Sequence, residues 1–392
     1  MKHLEYATAG IAAPDLPIFT DMLAYISEYI FQITREPDRI ILSIEDDKEA
    51  EVLEKIAALR KTLELDEVKK GREVTTRVLE DHTDQQPLNR EGVFEQLIES
   101  GSVVKMTEGA YAYTGLFLQV FRYFCRKIDE FGKTCFAGIQ EFEESVLYPV
   151  EEYEKGHYFE SFPHHIMFQT NMKSDKDLLD RFSKTGAGDP EIFSSGNMRR
   201  PVNVIRHAAC VPIYPMLQDQ NIPADQPRYY LISGKCFRNE GANVFELSRL
   251  NEFYMKEFVC IGTLEQTLDM IARARALWEE WIRVFGLNCT IETANDSFFA
   301  SNYKKLKIFQ ILGDSKQEFR VLIPHSDSYC AVSSSNVHRT HFTKTYHIHN
   351  DHSLCQSACF AFGIERLSYA LLSQKGCDVG KWDEATRKEI FG

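Results

Sequence analysis

Apolar positions in the first hundred residues change period. Ile40-Ile-Leu-Ser-Ile44 is a short continuous apolar run of strand type. Val52, Ile56, Leu59 and Leu63 then recur every three or four residues among Glu and Lys, which predicts a helix with one buried face. The polar stretch Asp81–Asn89 interrupts both patterns and reads as a linker. A small α/β extension over residues 1–95 and a larger unit over 96–392 follow. In the larger unit, Gly115 to Phe131 predicts an aromatic-rich helix closed at Gly132. Strands are expected around 143–148, 163–169 and 204–213, across Tyr229–Ser233 into Phe237-Arg-Asn-Glu240, and from Glu252 to Ile261. Thr263-Leu-Glu-Gln266 has capping-box spacing and opens a long helix through Trp278 and Trp281, read as core residues, to Gly286. Strands dominate 308–348, and one late helix runs from Ile364 to Leu372. Many strands with few crossover helices predict the α+β class, an antiparallel sheet flanked by helices.

Composition narrows the function. At 44% hydrophobic and 26% charged residues, the chain of 392 residues is an ordinary folded one. The net charge of −13 is uneven: residues 1–100 hold 12 basic and 22 acidic side chains. Nucleic-acid affinity rests on cations neutralising phosphates, so this segment is a poor RNA-binding arm. No apolar run approaches the roughly 20 residues of a membrane span. Glu5 and Asp15 stand at the start with no apolar stretch between them, so no secretory signal is expected. The ten scattered cysteines then read as thiols of a cytoplasmic protein, a few of them candidate metal ligands. The sequons at Asn288 and Asn295 carry no meaning without secretion.

Phosphate-binding glycine loops of the P-loop and dinucleotide types are missing, so a nucleotide would have to be held by side chains. Two segments offer them. The first is Phe237-Arg238-Asn239-Glu240, followed after a short loop by Arg249-Leu-Asn-Glu-Phe253-Tyr-Met-Lys-Glu257. On a strand, Arg238 and Glu240 would share a face; Arg grips phosphate, and Glu accepts from an amino group. The second is Ala361-Phe-Gly363-Ile-Glu-Arg366-Leu, opening a helix. Taken singly, each is weak, since an isolated Arg-x-Glu is most often a surface ion pair.

In this order and spacing the two segments resemble motifs 2 and 3 of the class II aminoacyl-tRNA synthetases. The segment around Glu141–Pro149 resembles motif 1, which implies a homodimer through that region. The resemblance spans about residues 105–390. Ser333-Ser-Ser335-Asn336 and Glu318 look like the seryl-tRNA synthetase group. Four further segments, His157–Pro163, Ala294–Phe299, Ser357–Gly363 and Gly376–Trp382, look most like one offshoot. These are the amino acid:carrier-protein ligases, relatives of archaeal-type seryl-tRNA synthetases without a tRNA-binding domain.

The resemblance implies roles. Arg238 would hold the ATP α-phosphate and Glu240 the adenine amino group, with Arg249 also in the ATP site. Phe253 would stack under the base, with Arg366 above it reaching the γ-phosphate, and Glu318 with Ser335 would bind Mg²⁺. Cys210, Glu257 and Cys359 match the Cys/Glu/Cys zinc triad of both groups, whose open fourth position takes the amino group of the substrate. His347, His349, His352, Cys355 and Cys359 also crowd together, but His347 and His349 alternate along an expected strand and no second Cys-x-x-Cys closes the site. His164 and His165 read as the cap of a strand.

The implied function is ATP-dependent activation of a small amino acid, glycine- or alanine-like, and its transfer to the phosphopantetheine thiol of a carrier protein. The alternatives are a seryl-tRNA synthetase-like enzyme charging tRNA and a non-catalytic paralogue. Two departures stand out. About 80 extra residues precede the catalytic region, and the loop Gly241–Ser248 holds Glu246 and no cation where a tRNA synthetase usually presents them.

Overall fold

The computed structural model describes residues 1–13, 15–63, 76–294 and 315–392. Strands β1 (Lys2–Ala7), β2 (Ile30–Arg35) and β3 (Arg39–Ile44) form an antiparallel sheet with β3 central. The apolar run at 40–44 is thus a strand, as its composition predicts. Helix Glu49–Thr62 buries Val52, Ile56 and Leu59. They share a core with Phe19, Leu42 and Ile44, so this N-terminal module has an apolar cluster of its own.

The chain enters the second sheet at β4 (Val78–Asp81), before the polar stretch. That stretch, expected as a linker, is pinned to the body. Asn288 Nδ2 donates to the Thr83 and Gln85 carbonyls at 2.8 and 2.9 Å, and Asn89 N–H donates to the Gln374 carbonyl at 2.9 Å. Its polar side chains and backbone find partners at a sheet end, which composition alone cannot distinguish from solvent.

Next come the hairpin β5 (Val103–Thr107) and β6 (Ala110–Tyr113), helix Gly115–Cys135, β7 (Gln140–Glu143) and β8 (Leu147–Pro149). They are followed by β9 (Met167–Gln169), β10 (Asn203–Ile205), β11 (Arg228–Phe237), β12 (Glu252–Gly262) and helix Leu264–Phe285. β13 (Cys289–Thr293), β14 (Lys316–Ile323), β15 (Ser328–Arg339) and β16 (Gln356–Gly363) complete the strands. The main sheet runs β4-β13-β14-β15-β16-β12-β11-β7, antiparallel throughout except that β7 pairs parallel with β11. β8, β10 and β9 make a small separate sheet. This is the α+β sheet with flanking helices that the strand-rich pattern predicts.

Helices Gly115–Cys135, Leu264–Phe285 and Ile364–Lys375 cover one face of the main sheet. Trp278 and Trp281 are core residues, and the Thr263–Gln266 capping box is formed. Gly132 does not close its helix. It sits in the last turns because a Cβ there would stand 2.7 Å from the Phe258 ring, so the glycine serves packing. A further helix, Glu384–Phe391, follows the late one. Pro163–His165 is a 3-10 turn instead of the start of a strand. Among the described residues no helix is long and apolar enough to cross a membrane.

Candidate functional site

The uncovered face of the main sheet floors a cavity of about 1660 Å³. Nine of the ten expected site residues line it: Cys210, Arg238, Glu240, Arg249, Phe253, Glu257, Glu318, Cys359 and Arg366. They come from three strands, two loops and the start of a helix, so only the sheet's register brings them together. Ligand pockets usually measure about 300–1,000 Å³, and this one has room for a nucleotide beside a second substrate.

At its deep end, Glu257 lies on β12 opposite Ala361 of β16, and Cys359 is two residues from Ala361 on the same face. Cys210 arrives from the loop after β10. Their ligand atoms lie within 4.8 Å of one another and all three residues are buried. Glu257 Oε1 accepts from the Ala209 N–H at 3.2 Å, while its buried Oε2 has no hydrogen-bond partner. Burial pushes the Glu257 carboxyl above its ordinary range. The Cys359 thiol and burial together push Cys210 well up. At Cys359 the hydrogen bond with Cys210 lowers the pKa, yet burial and the Glu257 charge together raise it. Two thiols and a carboxylate with an orphaned oxygen, converging in the interior, are a donor set suited to Zn²⁺. The rival His/Cys tract does not assemble: His347 follows the short helix His341–Thr345, has φ +50° and meets Asp219 at the surface.

The nucleotide-type residues lie toward the mouth. β11 ends at Phe237, so Arg238 and Glu240 stand in the turn after it and do not alternate along a strand. The sequence-based argument for a shared face fails here, yet both side chains reach the cavity. Arg238 Nε donates to the His207 carbonyl at 3.0 Å, and its guanidinium lies 5.1 Å from the Phe253 ring centroid. Arg366 donates to the Ala331 carbonyl at 3.0 Å. Arg249 donates to Glu240 at 3.4 Å and to Asp21 of the N-terminal module at 3.2 Å.

The expected magnesium pair is corrected. Glu318 lies directly opposite Ser334, while Ser335 pairs with Gln317 and Phe360, is buried and does not line the cavity. Alternation along β15 turns Ser334 and Asn336 toward the cavity and Ser333 toward the helices, where it accepts from Trp278 Nε1 at 3.0 Å. Glu318 stands between Lys316 and Arg320, each at 3.2 Å, which offset its charge.

Several residues at the site had no role assigned from the sequence. Asn336 Nδ2 donates to Cys359 Sγ at 3.7 Å. His338 Nε2 lies 3.5 Å from the same sulfur, with Tyr214 OH at 3.0 Å from Nδ1. Arg206, fully buried, donates from Nε to the Lys235 carbonyl at 2.9 Å and fastens the loop carrying Cys210 to β11. Gly234 makes room for it, since a Cβ there would stand 2.0 Å from Arg206 Nη2. His164 and His165 line the cavity beside Tyr25, and burial lowers both to a pKa of about 3. The segment Ala294–Phe299, with the sequon at Asn295, lies almost wholly outside the described residues.

The chain is similar to several known proteins. Residues 200–375 match the family model "tRNA synthetase class II core domain (G, H, P, S and T)". Amino acid–acyl-carrier-protein ligase 1 of Bradyrhizobium diazoefficiens is 27% identical over 290 residues, 73% of this chain and 86% of that protein. Ligase 2 of the same organism is 30% identical over 242 residues, 60% of this chain and 69% of that one. The structure of M. kandleri SerRS bound to A. aeolicus tRNASec superposes with a TM-score of 0.69 at 20% identity, covering 94% of this chain and 75% of that one. The last shares the fold; the ligases carry the kinship, and with the matched core domain they show that the chain belongs to the class II aminoacyl-tRNA synthetase family, as a relative of its amino acid–carrier-protein ligases.

Proposed function

We propose that the protein activates a small amino acid with ATP and transfers it to the phosphopantetheine thiol of a carrier protein. One observation carries this reading. The loop 206–212 holds both halves of the site: its His207 carbonyl fixes Arg238, its Ala209 N–H fixes Glu257, and its Cys210 completes the triad. A group that orients an amine and a group that grips phosphate are thereby set at a constant separation, as carboxylate attack on an α-phosphate requires. The names of the two Bradyrhizobium relatives support the carrier as acceptor.

In this reading Cys210, Glu257 and Cys359 hold Zn²⁺, which when bound supplies an open coordination position for the amino group of the substrate. The carboxylate attacks the α-phosphorus, an acyl phosphate bond forms and pyrophosphate leaves. Arg238 stabilises the charge growing on the phosphoryl oxygens, and Arg366 serves the γ-phosphate. Glu240 accepts from the adenine amino group, Phe253 stacks on the ring and Arg249 completes the ATP site. Mg²⁺ with the phosphates belongs to the proposal through Glu318 alone of the expected pair. A homodimer through the Glu141–Pro149 region is part of it too. The carrier thiol then attacks the acyl carbon and AMP leaves.

Charging of tRNA is the second reading, favoured by the tRNA synthetase core that the chain matches. Against it, the loop 241–248 has no cation, and its Glu246 is spent on His325 and Tyr369. ATP–pyrophosphate exchange across the twenty amino acids tests activation, with glycine or alanine expected to respond. Acylation of a phosphopantetheinylated carrier set beside tRNA then tests the acceptor. Exchange with none of the twenty in zinc-replete protein would favour a non-catalytic paralogue or a non-proteinogenic substrate.

A further inference from the structure

The N-terminal module lines part of the cavity, and two of its residues there, Asp21 and Tyr25, carry polar side chains bonded to the site. Asp21 lies on helix Leu16–Leu23, and Tyr25 follows two residues after that helix. Arg249 Nη2 donates to Asp21 Oδ2 at 3.2 Å and Nη1 to Glu240 Oε2 at 3.4 Å, so two carboxylates from different parts of the chain share one guanidinium. Tyr25 OH donates to the same Glu240 Oε2 at 3.5 Å. Arg35 of β2 pairs with the other Asp21 oxygen. Asn243 Nδ2 donates to the Asp21 carbonyl at 2.8 Å, and Gly241, at φ +52°, lets Ala24 approach: a Cβ there would stand 3.2 Å from the Ala24 carbonyl oxygen. The Tyr25 ring meets His164 edge-on at 4.7 Å. Charge alternates without a break from Arg35 through Asp21 and Arg249 to Glu240.

We propose that Asp21 and Tyr25 are positioning residues for the nucleotide base, acting through Arg249 and Glu240; this rests on the assignment of Glu240 to adenine. Both hydrogen bonds to Glu240 fall on Oε2, which leaves Oε1 to accept from an exocyclic amino group. Asp21 occupies one end of the guanidinium, so Arg249 cannot fold both of its ends onto Glu240 and claim the second oxygen. A buried charge-assisted chain of this kind holds its members in one orientation. The module therefore builds the wall of the pocket that distinguishes an amino-bearing purine from an oxo-bearing one.

The experiment uses the full chain and the substitutions Asp21→Asn, Tyr25→Phe and Glu240→Gln, with pyrophosphate exchange driven by ATP or GTP. Losing the ion pair should raise the KM for ATP about 10-fold in Asp21→Asn, and losing the longer hydroxyl contact about 3-fold in Tyr25→Phe. ATP-over-GTP preference should fall by similar factors, while the amino acid KM stays within about twofold. A purely structural role would lower the thermal transition and activity with both nucleotides alike, overturning the inference. Tyr25→Phe keeps the ring and guards against misfolding of the charge variant. If Glu240→Gln loses base selectivity while both module variants keep it, the inference alone falls. If Glu240→Gln keeps wild-type selectivity, the inference falls together with the adenine assignment.

Discussion

Phe258, Phe360 and Phe362 point into the helical layer of the main sheet; Glu257, Cys359 and Ala361, one residue away on the same strands, point into the cavity. The helical face is apolar and filled by rings: Trp278 lies 4.5 Å from Phe360 and Phe258 5.5 Å from Phe362. The cavity face keeps a carboxylate oxygen without a hydrogen bond in the interior, a group that costs about 1–3 kcal/mol when left unpaired. One strand thus contributes stability on one side and stored cost on the other. Sites that need preorganised polar groups are expected to be supported by a rigid apolar layer behind them.

That contrast can be broken at each face. Cys210→Ser should remove bound zinc and abolish amino-acid-dependent exchange while leaving the unfolding midpoint of the metal-free protein nearly unchanged. Metal analysis beside chemical denaturation checks this, and zinc retained with full activity would sink the triad. Phe360→Ala should do the opposite. It should cost about 3–5 kcal/mol of stability, read as a lower denaturation midpoint, with little change in zinc content.

A milder test sharpens the cavity side. His338 meets Tyr214 OH through Nδ1 and Cys359 Sγ through Nε2, so in the tautomer with its proton on Nε2 it donates to the sulfur. His338→Ala should weaken zinc binding about 10–100-fold, measured by competition with a chelator, without removing a ligand. Unaltered zinc affinity would make this histidine a packing residue only. The smallest effect belongs to Glu365, buried where the two faces meet at the start of helix Ile364–Lys375. Burial raises its pKa from the ordinary range to about 7, and its carboxylate accepts from the Tyr254 N–H at 2.8 Å. A carboxyl raised in the folded state binds its proton more tightly there, so its contribution is full below about pH 4.5 and is lost as pH rises through about 7. Glu365→Gln should flatten stability between those values; an unchanged slope would place the pH dependence elsewhere.

Periodicity made the elements legible because it depends on neighbours one turn or one pleat apart. Ile40–Ile44, the stripe Val52-Ile56-Leu59 and the capping box at Thr263 all formed where their local patterns put them. Chemistry-bearing residues were legible through motif resemblance, and nine of them share one cavity. Legibility failed where one residue of register or one long-range contact decides. Ser335 and Ser334 are identical side chains in one run, and only pairing with Glu318 separates them. Gly132 looks like a helix stop until Phe258 fills the space beside it. Asn336 looks like one member of a Ser/Asn run and His338 like an ordinary strand polar until β15 lies against β16 and sets both beside Cys359.

Residue types, element periods and the order of the motifs were therefore determined by the sequence alone, because each is a property of a short stretch of chain. The closing of Cys210, Glu257 and Cys359 into one cluster, the turn of Glu318 away from Ser335 and the docking of Asp21 and Tyr25 onto Arg249 and Glu240 were decided by the tertiary structure. Side chains on a strand alternate faces, so which residues meet depends on how strands far apart in the chain pair, and no local stretch contains that information.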